Sequence, residues 1–111
     1  MIENEKQITE ICKYIVQCIV NENYKELENR GILDRVSEKD LRRRLSEYKA
    51  SEHTLMPPDQ YFDKLEIHEY NNKSGYWVDI DLWYINGRSD LTLQLDIGKD
   101  EKILIDDLHV L

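Results

Sequence analysis

The sequence predicts an α+β domain, with N-terminal helices packed on one face of a four-stranded antiparallel meander sheet. Three observations carry this. Residues 8–20 space their apolar side chains as a helix does. Residues 76–97 alternate apolar and polar side chains on both sides of an Asn-Gly pair, the pattern of a hairpin. The helical patterns all precede the strand patterns, which separates the two layers along the chain. With 111 residues, 41% hydrophobic and 34% charged, the chain suits one domain over 1–111, helical in 1–49 and sheet in 61–111.

Each element follows from local chemistry. Ile8, Ile11, Cys12, Ile15, Val16, Ile19 and Val20 recur at i, i+3, i+4 and i+7, so one amphipathic helix covers residues 4–21. Cys12 lies in its core stripe and Cys18 points elsewhere, so the two are expected to stay reduced. Residues 23–30 read as a short second helix, stopped by Gly31 in a left-handed cap position. A third helix starts at Ser37. Ser37 with Asp40 resembles a capping box, and Val36 with Leu41 a hydrophobic staple. Leu41, Leu45 and Tyr48 form its inward stripe.

Residues 50–60 cross over to the sheet, and Pro57-Pro58 argue against a regular element there. Leu65 and Ile67 give the core side of the first strand, with Glu66, His68 and Tyr70 on its outer side. A type I′ turn at Asn86-Gly87 then sets the hairpin register. It pairs Leu82 with Leu91, Ile80 with Leu93, Val78 with Leu95 and Tyr76 with Ile97 on the core face. On the other face it pairs Trp83 with Asp90, Asp81 with Thr92, Asp79 with Gln94 and Trp77 with Asp96. A last strand covers 102–111, and its period slips at Asp106-Asp107, the mark of a bulge.

The net charge is −8 and unevenly placed: residues 1–55 hold 11 acids and 10 bases, residues 56–111 hold 12 acids and 5 bases. A field of that sign repels nucleic acid and attracts basic partners, and it also serves plain solubility. No apolar run reaches the length of a membrane span, and the polar, acidic opening MIENEKQ is unlike a signal peptide. The expected setting is the cytosol, with no membrane and no nucleic acid bound directly.

The outer sheet face is the candidate site. Glu66, His68, Tyr70, Trp77, Asp79, Asp81, Trp83 and Asp96 converge there. Tryptophan and tyrosine are common interface anchors, and the carboxylates would select a cationic partner. The plainer reading is that a loop or the C-terminal segment covers the tryptophans and the acids only solubilise the edge. Enzyme chemistry has less support. Asp79 and Asp81 lie about 7 Å apart on one strand face, a spacing open to metal or acid–base work, but the only nearby lysines sit in turns. Asp106, Asp107 and His109 resemble a hydrolytic fragment without a nucleophile. His53, His68 and His109 lack metal-ligand spacing. The glycines sit at turns and caps, so no cofactor loop is present. Arg42-Arg43-Arg44, with Arg35, Lys39 and Lys49, reads as a solvated helix face with pairs such as Asp40–Arg44. No catalytic, cofactor-binding or metal-binding residue is assigned.

Two resemblances bear on function. Three helices before an antiparallel meander resemble the cone-shaped nuclear-transport-factor-two-like and cystatin-like folds. Enzymes of that shape carry polar groups inside the cone, whereas here the inward positions are Val78, Ile80, Leu82, Leu91, Leu93, Leu95 and Ile97. Met-Pro-Pro at 56–58, Trp-x-Asp-x-Asp-Leu-Trp at 77–83, Gly-Arg-Ser-Asp-Leu-Thr-Leu at 87–93 and Asp-Asp-Leu-His-Val-Leu at 106–111 together resemble a family of small bacterial proteins. That group is similar to immunity proteins of toxin systems such as contact-dependent growth inhibition. The resemblance implies a non-enzymatic inhibitor whose partner is a cognate basic toxin domain, a nuclease. The alternatives are a small-molecule-binding or enzymatic domain with a pocket near Tyr14, Tyr48 or Tyr61, and a homodimer that buries the tryptophan face.

Overall fold

The computed structural model describes residues 4–48 and 52–110. Lys49, the first residues of the crossover and Leu111 lie outside them. The order is α1 (Glu5–Val20), α2 (Tyr24–Asn29), α3 (Glu38–Tyr48), α4 (Asp59–Asp63), β1 (Ile67–Glu69), β2 (Gly75–Tyr84), β3 (Gly87–Gly98) and β4 (Ile103–Val110). The four strands form one antiparallel sheet in the order β1-β2-β3-β4, so the meander and the α+β class are as expected.

Local signals account for the helix ends. Asn4 accepts the Gln7 amide at 3.0 Å while the Gln7 side chain accepts the Asn4 amide at 3.2 Å, a reciprocal cap that fixes the start of α1. At the end of α2, Gly31 takes φ 74°. Its amide reaches the Glu28 carbonyl and the Ile32 amide the Leu27 carbonyl, both at 3.0 Å, which satisfies carbonyls the helix would otherwise leave open. The Ser37 hydroxyl accepts the Asp40 amide at 3.2 Å, capping α3.

The core is one cluster. Ile8, Cys12, Ile15, Val16 and Ile19 of α1 pack with Leu27, Leu41, Phe62 and the inward sheet residues. All seven expected inward strand positions are 2% exposed or less. Burial pushes the Cys12 thiol up to about 12, and both cysteines are free, buried thiols.

Three expectations are corrected. The crossover does carry a regular element, since α4 begins directly after Pro58. Proline restricts the residue before it but is well suited to the position where a helix starts. Residue 65 therefore precedes β1, which begins at Ile67. The tight turn lies at Ile85-Asn86, because Tyr84 pairs with Gly87. A type I′ turn at Asn86-Gly87 needs positive φ at both residues, and only Gly87 has it, at 109°. The expected register holds from Tyr76–Ile97 through Asp81–Thr92. It then shifts, so that Trp83 faces Arg88 rather than Asp90, and the Leu82–Leu91 pair falls in the irregular stretch. Ser89 explains the shift. Its hydroxyl donates to the Leu82 carbonyl at 2.6 Å and accepts the Leu91 amide at 3.2 Å, replacing lost ladder bonds. The second irregularity is where the sequence places it: Gln94 pairs with Asp107 and Leu95 with Ile105, which leaves Asp106 as the extra residue of β4.

Candidate functional site

The period of two along β2 puts Trp77, Asp79, Asp81 and Trp83 on the face opposite the helices. All four are half-buried rather than exposed. β1 places His68 directly opposite Trp77. The two rings stack with centroids 4.0 Å apart and planes 15° apart. Beyond β1 the edge of β2 is covered differently. Tyr61 of α4 meets Trp83 edge-on at 5.7 Å, and its hydroxyl accepts the Asp81 amide at 2.7 Å. The Leu55 amide donates to the Trp83 carbonyl at 2.8 Å. The crossover thus seals an edge that a three-residue β1 cannot reach.

The acids of this face are not equivalent. Asp81 accepts Arg88 Nε at 2.6 Å and the Thr92 hydroxyl at 2.8 Å, and Thr92 is 0% exposed. Asp96 accepts Arg35 Nη1 at 3.1 Å and the Tyr70 hydroxyl at 3.3 Å. Arg35 also donates to Asp106 at 2.6 Å. It reaches the face from the segment between α2 and α3, which is pinned to β4 where the Ile105 amide donates to the Ile32 carbonyl at 3.0 Å. Both carboxylates thus meet cations of the chain itself. Asp79 differs: its Oδ1 is buried and has no hydrogen-bond partner among the described residues. Trp83 Nε1 is in the same condition. Glu66 precedes β1 at the rim, with His68 Nε2 3.6 Å from its carboxylate.

The other expected clusters resolve into structure. Arg42 donates to Glu38 at 2.9 Å and lies over the Tyr24 ring at 4.5 Å. Asp40 pairs with Arg43 at 3.4 Å, not with Arg44. Arg44 instead crosses to β4, where it contacts Asp107 and donates to the Leu108 carbonyl at 3.0 Å. Burial alone would push the Asp107 carboxyl up, but Arg44 and the Leu108 amide hold it below its ordinary value. His109 Nδ1 stands 3.1 Å from Asp107. Among the described residues no group of three or more His, Cys, Asp or Glu could hold a metal ion, and no helix is long and apolar enough to cross a membrane.

Two cavities open on the outer face. One of about 200 Å³ is lined by Tyr70, Trp77, Gln94, Leu95 and Asp106. Its neighbour, about 190 Å³, lies between Arg35, Tyr70, Asp96 and Leu104. Leu104 is buried there, opposite Asp96 and outside the main core cluster.

The family model described as "Domain of unknown function (DUF7668)" matches residues 16–111. The chain belongs to this family. The matched stretch begins inside α1 and takes in every strand and all eight expected face residues. No curated protein and no solved structure matches the chain.

Sequence reasoning brings the eight residues to one side of the sheet, where the structure also has them. It reads Thr92 and Gln94 as cross-strand partners and Asp106 as part of a bulge, but misses that Arg88 and Arg35 pair with Asp81, Asp96 and Asp106 and so decide how much of the negative charge stays unpaired. Arg88 was hidden by the register shift, and Arg35 by its 61-residue separation from Asp96.

Proposed function

We propose that this chain is a non-enzymatic binding protein of the bacterial cytoplasm, an immunity protein that neutralises a basic toxin domain through its acidic, aromatic outer face. The observation that carries this reading is the pair of orphaned polar atoms, Asp79 Oδ1 and Trp83 Nε1, on one half-buried aromatic face. Buried polar atoms are normally satisfied; these two are shielded in the free chain, so a docking partner supplies what they lack by shifting the side chains that cover them. Charge supports the same reading. A toxin nuclease must attract phosphate, so its active-site surface is basic. An acidic face speeds encounter with such a surface and competes with nucleic acid for it. A homodimer through this face would set the acids of two copies against each other. The experiment is co-expression with the C-terminal domain encoded immediately upstream. Toxicity abolished by this chain, with the two copurifying, supports immunity. Toxicity left unchanged rejects it.

A small-molecule-binding or enzymatic domain is the second reading. It draws on a cavity of about 360 Å³ beside Tyr14, walled by Ile11, Ile15, Ile32 and Ile103 with Glu10, Arg30 and Glu101 at its rim. A thermal-shift screen of metabolites, repeated on Ile15→Trp to fill the cavity, tests it.

A further inference from the structure

We infer that the cavity between Trp77 and Tyr70 receives an arginine side chain of the partner protein. This rests on the binding reading above and names the group the face recognises.

The cavity holds about 200 Å³ and is lined by Tyr70, Trp77, Gln94, Leu95 and Asp106. Two of these are aromatic, one is an amide and one a carboxylate. His68 covers one face of Trp77, so the indole is held in place, and its remaining face and edge are what an occupant can meet. The Tyr70 ring is fixed in turn by its hydroxyl on Asp96 and by its amide on the Gly75 carbonyl at 2.9 Å. The walls are therefore set before anything binds, which lowers the ordering cost of association.

Charge selects a cation. Asp106 lines the cavity, Asp79 stands across the ladder from Gln94 and Asp96 across from Trp77, against one nearby cation of the chain, Arg35. The Arg35 contact engages Oδ1 of Asp106, and Asp106 is exposed. Gln94 stands directly across the ladder from Asp79, so the orphaned carboxylate lies beside the cavity floor.

The shape of the lining selects arginine over lysine. A guanidinium is planar and weakly hydrated, stacks on an aromatic face and directs several donors in its own plane. Against Trp77 it reaches a carboxylate oxygen of Asp106 and the amide oxygen of Gln94 together. An ammonium group holds its water more strongly and gains less from a pocket half aromatic and half polar. An apolar side chain would strip water from Asp106 and Gln94 and return nothing.

The test is titration of the full chain with L-argininamide at constant ionic strength, beside L-lysinamide and glycinamide, read by the Trp77 indole and Gln94 side-chain amide signals in nitrogen-resolved spectra. The expected result is a saturable shift at both groups, several-fold tighter for L-argininamide than for L-lysinamide and absent for glycinamide. Trp77→Leu and the exposed Asp106→Asn should each weaken it about tenfold, the second with only a small effect on folding, since its pair with Arg35 is exposed. Equal shifts with the three probes, binding unchanged in Asp106→Asn, or shifts centred on Trp83 would overturn the assignment. Loss of this binding leaves the co-expression result untouched. Failed protection with argininamide binding intact would reject immunity and keep the pocket.

Discussion

His68 and Trp77 stand opposite each other across the β1–β2 ladder and stack with their ring centroids 4.0 Å apart. β1 has only three residues, and its pairing to β2 covers Ile67 to Glu69. A strand that short draws much of its hold from side-chain pairing. His68→Ala should therefore cost about 1 kcal/mol, the usual worth of an aromatic pair beyond its buried area. It should also raise amide exchange at 67–69 selectively. Uniform exchange across the sheet in that variant would show that the stack does not anchor β1.

Asp79 and Asp81 share a face and differ in role. Asp81→Ala leaves the fully buried Thr92 hydroxyl without its carboxylate and removes the partner of Arg88. The Thr92 hydroxyl then keeps only its longer bond to the Asp90 carbonyl at 3.3 Å, and the expected loss is about 1–2 kcal/mol, that of a hydrogen bond to a charged group. Asp79→Asn removes the charge of a carboxylate whose Oδ1 already has no partner, and should cost less than Asp81→Ala. Urea unfolding of both variants checks the order. Equal losses would mean that Asp79 is structural too.

Gly75 lets the start of β2 lie against the end of β3. A Cβ there would collide with the Ile97 carbonyl oxygen and come within 2.8 Å of Gly98 Cα, both backbone atoms that cannot turn aside. Gly75→Ala should destabilise by about 1–3 kcal/mol, in the range of core overpacking. Thermal unfolding of the variant measures it, and an unchanged midpoint would refute the close approach.

Stability should fall at both ends of the pH scale. The Tyr14 hydroxyl with Arg30 holds Glu26 below its ordinary 4.5, Arg42 does so for Glu38, and Lys99 for Glu69. For these groups the unfolded chain takes up protons first as pH drops, so their contribution is present above about 4.5 and lost below it. Burial raises Cys12 from 9.0 and Tyr84 from 10.0, each to about 12. Here the unfolded chain ionises first as pH rises, so stability is lost between 9 and 12. The urea midpoint, followed against pH, should show a plateau between about pH 5 and 9 with a fall on either side. A midpoint that kept rising above pH 9 would contradict the burial of these groups.

Much of the fold is legible because one physical signal dominates each element. The seven apolar residues of α1 leave no other period, and β2 and β3 pair in the expected register from Tyr76–Ile97 to Asp81–Thr92. The slip at Asp106 shows because an extra residue reverses the in–out alternation of β4. The hairpin end is not legible, since a single hydroxyl, Ser89, substitutes for ladder bonds and frees the register to shift. Pro58 conceals α4 when proline is read only as a breaker, and Pro-Asp before Gln-Tyr-Phe is equally a helix-start signal. The aromatic and acidic side chains of the face follow from strand alternation. Their pairing state does not, because it depends on Arg35 and Arg88, which only the tertiary fold and the shifted register bring near.

The central claim is that this face binds a basic toxin domain and that Asp79 is its free acceptor. The direct measurement compares the wild-type chain with folded Asp79→Lys in cells that express the upstream-encoded toxin domain. Protection by the wild type and its loss in the variant is the predicted result. Full protection by both would remove the interface from this face, and none by the wild type would contradict immunity itself.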